Sequence, residues 1–468
     1  MPVRFTINLI HSKRSIVMFT PPKTPYLVAA VVLGVSCLTA LSASAAQQYF
    51  LNSTSGADAN PGTEAKPWKT LERANQQEFQ PGDRLNFARG TRYVGSLKIS
   101  QSGTETAPIT VSAYGKGAAP QLSNPFFSIS MGHIIEIVGN YVVVENLFLH
   151  DIPTPPPDNP PVRWQDSQQH KNVTNLAAIF VDKGASHVTV RNNEFVNAVV
   201  GVRVRGSHSL VTNNYLHDAA KITEQWGAVA VAIVGPYNEV AYNLVENYGF
   251  YGGIYVNDGA AVELDGEDAA YSAHDIHVHH NVSRNVKGGF LEIAGASQDV
   301  LIDHNVSDDV DKFVGGTNVK GVKILNNTVL RMRLPSFPKS DFFPLGTVFW
   351  TFNSKGTDEF IVSGNVFYLD GLQRLYKSEE HKLGIKPVRR QKNLYFSPNG
   401  DIPTMLGDAV GKDEIVARPE FIDEIAGDYR LTPKSLPRLI NTEANPEAIT
   451  YYGAFAPGKP LWKAGLIK

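Results

Sequence analysis

The side chains best suited to chemistry are acidic and crowd the middle of the chain. Asn257-Asp258, Glu263-Leu264-Asp265 and Glu267-Asp268 fall close together, and Glu292 follows. The strings Gly259-Ala-Ala-Val-Glu263-Leu-Asp-Gly266 and Gly288-Gly-Phe-Leu-Glu292-Ile-Ala-Gly295 read as one element repeated. That puts Glu263 and Glu292 at equivalent positions 29 residues apart. If the repeat stacks, the two carboxylates meet at about 5 Å, the separation of a retaining glycosidase pair; an inverting pair needs roughly 6.5–9.5 Å. Crowded carboxylates also split their proton affinities, leaving one acid and one base. Glu292, Glu263 and Asp265 are the candidate catalytic residues, and Asp258 is a further candidate partner of Glu292. The competing reading of the cluster is a solvated loop or a Ca2+ site built from carboxylates and carbonyls. No cofactor is otherwise implied.

Histidines are concentrated in the same region: His274, His277, His279, His280 and His304. No zinc-ligand spacing joins them, so no metal site is assigned. The reading preferred here is stacking of His279, His280 and His304 at a turn.

These residues need a scaffold that brings distant segments together, and the sequence supplies a repeat. Segments ending in Asn146, Asn193, Asn214, Asn243, Asn281, Asn305, Asn327 and Asn365 share a pattern: a β-branched residue, two variable residues, then Asn. The successive spacings are 47, 21, 29, 38, 24, 22 and 38 residues. The shortest set a unit of 21 to 24 residues, and the longer ones are that unit with a loop inserted. Such a unit with short β-branched strands fits one coil of a parallel β-helix. Each strand then pairs with its equivalent about 4.8 Å away, and the Asn residues form a ladder. The expected fold is all-β: a right-handed parallel β-helix with loop insertions and a short N-terminal capping helix, placed at Thr70 to Phe79.

Alternation along the strand after each Asn tells which side chains face outward. Arg203 and Arg205 do so in Val202–Arg205, Tyr255 and Asn257 in Ile254–Asn257, and Phe290 and Glu292 in Phe290–Ile293. Arg203, Arg205, Trp226, Tyr255, Asn257 and Phe290 are the candidate substrate-binding residues: aromatic faces for sugar rings, and cations for a carboxylate or sulfate. Inserts at Ile152 to Asn172, Gly259 to His274 and Arg331 to Gly346 are expected to wall the groove.

The first 45 residues are read as a secretory signal peptide. Its apolar run Tyr26 to Leu41 follows Lys13, Arg14 and Lys23 and ends near Ala43-Ser44-Ala45. Met18 is an alternative start. Residues 46–468 then form a single domain: cap and first coils over 46–130, Asn-ladder coils over 131–370, and last coils and tail over 371–468. The sole cysteine, Cys37, lies in the leader, which excludes disulfides and thiolate chemistry from the mature chain. Without the leader's four basic residues, 39 Lys and Arg face 45 Asp and Glu, a net charge of −6. With no basic run, nucleic acid is not an expected partner. A secreted or periplasmic protein with no membrane attachment in its mature form is expected.

Short motifs mark both ends of the mature chain. Tyr49-Phe50-Leu51-Asn52, Pro67-Trp68-Lys69-Thr70-Leu71, Pro81-Gly82-Asp83 and Tyr114-Gly115 stand near the start, and Pro419-Glu420-Phe421-Ile422-Asp423 and Gly427-Asp428-Tyr429-Arg430-Leu431 near the end. In these the chain resembles the pectate-lyase-like superfamily of secreted, carbohydrate-active β-helices. The resemblance implies a polysaccharide or oligosaccharide partner but no particular reaction, since the fold hosts hydrolases, lyases, epimerases and adhesins. A glycoside hydrolase using paired carboxylates is the first reading. A uronate-specific lyase or epimerase, with Arg203, Arg205, His217 or Lys221 in play, is the second. A non-catalytic carbohydrate-binding solenoid is the third.

Overall fold

The computed structural model describes residues 45–125, 132–152, 159–163, 166–168, 175–219, 226–251, 257–268, 271–294, 297–316, 319–332, 347–351, 360–369, 374–378, 388–435 and 450–467. The segment read as a signal peptide lies outside them, save for its last residue. Among the described residues no helix is long and apolar enough to cross a membrane.

Three parallel sheets wind around one core. Among the described residues they hold twelve, ten and twelve strands, and neighbouring strands within a sheet belong to successive coils. The first sheet shows why the sequence does this. Val190, Val211, Val240, Val278, Ile302, Ile324 and Val362 pair in one register column. All are buried. Their β-branched side chains suit the pleat and stack into a continuous apolar wall. Three residues on, Asn193, Asn214, Asn243, Asn281, Asn305, Asn327, Asn365 and Asn393 form the ladder. Each donates its Nδ2 to the Oδ1 of the next at 3.0–3.3 Å. Each Oδ1 also accepts the main-chain N–H of the Asn one coil earlier. The buried amides are thereby satisfied through the core's polar corner.

The ladder differs from the expected one at both ends. Val144, not Val143, is the register partner of Val190, so Asn146 falls one place early and Leu147 holds the ladder position. Asn146 instead starts a second column of left-handed residues continued by Asn192, Asn213, Tyr242, His280, His304 and Asn326, with φ of 51–66°. Asn393 extends the ladder by a rung, and its Nδ2 ends on Glu414.

Both ends of the solenoid are covered. The helix Leu71–Asn75 begins where Thr70 Oγ1 accepts the N–H of Arg73. It buries Leu71 and Ala74, and Asn75 bonds Ser96 and Lys98 at the first strand of the ten-stranded sheet. This shielding of exposed strand groups is the capping that was expected, by a helix that stops at Asn75 and does not run on to Phe79. A second short helix, Ile402–Leu406, buries Ile402, Met405 and Leu406 near the other end. The C-terminal segment returns along the outside. Gly453 donates to Gly364 O, Ala454 to Thr328 Oγ1, Gly465 to Tyr242 O and Ile467 to Asn192 Oδ1. Trp462 stands edge-on to Tyr242 and His280.

Candidate active site

The ten-stranded sheet presents one outward column in strict register. Its members are Lys98, Glu136, Phe180, Arg203, Ala232, Glu263, Glu292, Gly315 and Trp350. The adjacent positions Val202, Val231, Val262, Leu291, Val314 and Phe349 are buried in the core. Glu263 and Glu292 are direct partners on neighbouring strands. Their backbones are therefore about 4.8 Å apart.

The chain reaches Glu263 through a pair of short hairpins. Phe250–Tyr251 pairs antiparallel with Asn257–Asp258 before the strand Ala260–Leu264, and Gly266–Asp268 pairs with Tyr271–Ser272 after it. The insert expected at Gly259 to His274 is thus corrected: its first part is a floor strand, and the hairpins lie on either side. The turn into the strand passes through Gly259, at φ 97° and so close to Ala228 O that a Cβ would overlap it. The hairpins set Asp258 and Asp265 as flanks to Glu263.

Asp258 is clamped by two main-chain amides, Gly227 N–H and Gly259 N–H, each at 2.7 Å. Burial and the nearby charge of Glu292 nevertheless push its carboxyl up to about 6. Burial, then the charges of Asp265 and Glu292, hold Glu263 well above the usual carboxylate range, with Arg203 opposing them. Glu292 has a counterion instead: Lys312 Nζ lies 3.2 Å from its Oε2. Lys312 is 4% exposed, and its Nζ also donates to Gly288 O at 2.6 Å. Asp265 Oδ1 accepts the N–H of Gly266. The floor thus carries four carboxylates, one of them paired to a buried ammonium.

The expected binding residues divide. Arg203 is 5% exposed and buried on the floor, with Nε donating to Leu176 O and its guanidinium 5.9 Å from the Trp226 ring. Trp226 is part-buried beside it. Arg205 is part-exposed, near Asn175 Oδ1 and the Phe180 ring. Tyr255 lies outside the described residues, as does the side chain of Asn257. Phe290 is a correction: expected to face outward, it is fully buried and stacks on Phe313 at 5.2 Å, so the core claims it. Lys312 and Trp350 were not singled out in the sequence. Trp350 was legible as the outward position of Val348-Phe349-Trp350; Lys312 precedes its strand and carried no signal.

Of the three histidines read as stacking at a turn, His280 and His304 do so: Tyr242, His280 and His304 lie face to face at 4.8 and 4.9 Å. His279 is a correction: it ends the strand His274–His279, where it packs on His277 at 4.0 Å and stands edge-on to His280. Among the described residues no group of three or more His, Cys, Asp or Glu is arranged to hold a metal ion.

A crystal structure of GH136 lacto-N-biosidase from Eubacterium ramulus aligns with 79% of this chain and 68% of its own, with a TM-score of 0.56 and 16% identity. The complex of XylC with xylose aligns with 80% of this chain and 87% of its own, with a TM-score of 0.52 and 12% identity. What this chain shares with both structures is the fold, a right-handed parallel β-helix. Lacto-N-biosidase from Bifidobacterium longum subsp. longum is 39% identical over 82 residues, 16% of this chain. The match spans 5% of that curated relative's length. No protein-family model matches the chain.

Proposed function

We propose that this β-helix is a glycoside hydrolase acting on a polysaccharide or oligosaccharide by double displacement, with Glu292 as nucleophile and Glu263 as acid/base. The observation that carries the reading is the register pairing of Glu263 with Glu292, two carboxylates with opposite electrostatic surroundings. Protonated Glu263 gives its proton to the glycosidic oxygen while ionised Glu292 attacks the anomeric carbon. A water, deprotonated by Glu263, then cleaves the glycosyl ester and restores both groups. Trp226 and Trp350 stand on either side of the pair as stacking faces for sugar rings. The likeness to lacto-N-biosidases supports the reaction class.

The uronate lyase reading fits the floor less well. Elimination needs a cation free to neutralise the substrate carboxylate. Arg203 and Lys312 are buried against the protein's own groups. Part-exposed Arg205 sits on the coil of Arg203, three coils or about 14 Å from Glu292. Calcium has no part in the proposal, since an ammonium stands beside Glu292 and two amides engage Asp258.

The test is a panel of oligo- and polysaccharides, assayed for new reducing ends and for absorbance of unsaturated uronates, with and without EDTA. Reducing ends without unsaturated products, unchanged by EDTA, are expected. Glu292→Gln should abolish them with the fold intact. Full activity in a folded Glu292→Gln protein, or products bearing a double bond, would overturn the proposal.

A further inference from the structure

Gly315 is the register partner of Glu292 on the next coil, and its lack of a side chain is used. A Cβ there would come within 2.8 Å of Cδ and of Cε of Lys312. The lysine stem therefore lies across the floor position beside Glu292, where another residue's side chain would stand. It delivers its ammonium to Glu292 Oε2 at 3.2 Å and to Gly288 O at 2.6 Å, 5.7 Å from the centroid of the Trp350 ring. A lysine buried to this extent must be matched by charge. Glu292, Asp311 and Asp258 supply it.

We infer that Lys312 is a positioning residue: its ammonium, threaded over Gly315, holds Glu292 in an ion pair and so keeps that carboxylate aimed from the floor beside Glu263. The inference rests on the glycosidase reading above. Its logic is a division of labour within one crowded cluster. Glu263 faces Asp265, Glu292, Asp258 and Arg203; Asp258 faces Glu292 and Lys312; Glu292 is the member held against the ammonium. Removing the ammonium takes away the ion pair that fixes Glu292 among three other carboxylates.

The experiment is the pH profile of kcat/KM on the oligosaccharide that the panel identifies, for three variants whose folding is checked by circular dichroism. Lys312→Met keeps the stem and removes the charge. Its acidic limb should move up by about one to three pH units, the size of an ion-pair effect on a carboxylate. At the midpoint of the native acidic limb, a one-unit shift lowers activity about fivefold. Lys312→Arg should restore the native limbs at least in part. Gly315→Ala crowds the stem without altering charge, and should narrow the bell in the same sense. It decides the matter if Lys312→Met does not fold. Native limbs in a folded Lys312→Met or Gly315→Ala protein would overturn the inference, whatever the fall in kcat. If Glu292→Gln is inactive while these limbs stay put, Lys312 alone is misassigned; if Glu292→Gln is active, the glycosidase reading falls first.

Discussion

The stereochemistry of the product is the sharpest consequence of the groove. Glu263 and Glu292 leave neighbouring strands at paired positions, and side chains so placed stay about 5 Å apart unless they splay. That lies inside the retaining range of about 5–5.5 Å and falls short of the roughly 6.5–9.5 Å that admits a nucleophilic water between the carboxylates. Widening the gap to the inverting range would need a further coil, and the next position along is Gly315, which has no carboxylate. Proton NMR of a freshly cleaved substrate should therefore show the initial anomer with the configuration of the bond that was cut, before mutarotation blurs it. Removing the nucleophile as Glu292→Gly should lower turnover about 10²-fold or more, and azide should partly restore it by attacking from the vacated side to give a glycosyl azide of inverted configuration. For Glu263→Ala, azide should give the retained configuration, because Glu292 still forms the ester. Inversion by the unmodified protein would refute the pairing as the source of catalysis, even if both residues proved essential.

Two further outcomes follow from the structure. With Asp258 at about 6, its ionisation as pH rises puts a new negative charge beside Glu292. The folded-state value is raised above the ordinary one, so at pH 5 Asp258 is about nine-tenths neutral and at pH 7 about one-tenth. Asp258→Asn should therefore change kcat/KM more at pH 7 than at pH 5, and a ratio constant across that range would count against the coupling. In the ladder, Asn281→Ala removes the acceptor of the buried Asn243 N–H and the side-chain donor to the carbonyls of Val240 and His279, while Asn243 Nδ2 keeps the carbonyls of Val211 and Ala241. At about 1–3 kcal/mol for a buried unsatisfied group, a loss near 3 kcal/mol is expected in chemical denaturation; a loss below 0.5 kcal/mol would show that the column is ornamental.

The winding of the chain was legible in its asparagines because a ladder demands the same residue at the same turn of every coil. It was misread where the anchor residue changed. A run of three valines, Val142 to Val144, hides the register before Asn146, and Arg390 replaces the β-branched partner of Val362 before Asn393. Glu263 stands 20 residues beyond its ladder Asn and Glu292 only 11 beyond its own. The residues 250–258 of the first hairpin account for the difference, and counting from the Asn left them unseen. Phe290 obeyed alternation in sequence but sits before its strand begins, where the core's edge takes it. Lys312 acts across a coil boundary, through a glycine on its own strand, and no local pattern announces such a contact.

The returning C-terminal segment alters how this solenoid should come apart. A stack in which each turn touches only its neighbours behaves as a one-dimensional chain and peels from either tip. Here Ile467 clasps Asn192, 275 positions upstream, and Gly465 clasps Tyr242. The strap bolts late windings to early ones, so fraying at the far tip must first release a lashing that lies over the middle. The same strap closes last during assembly, because a bond of that span waits for every turn between its ends.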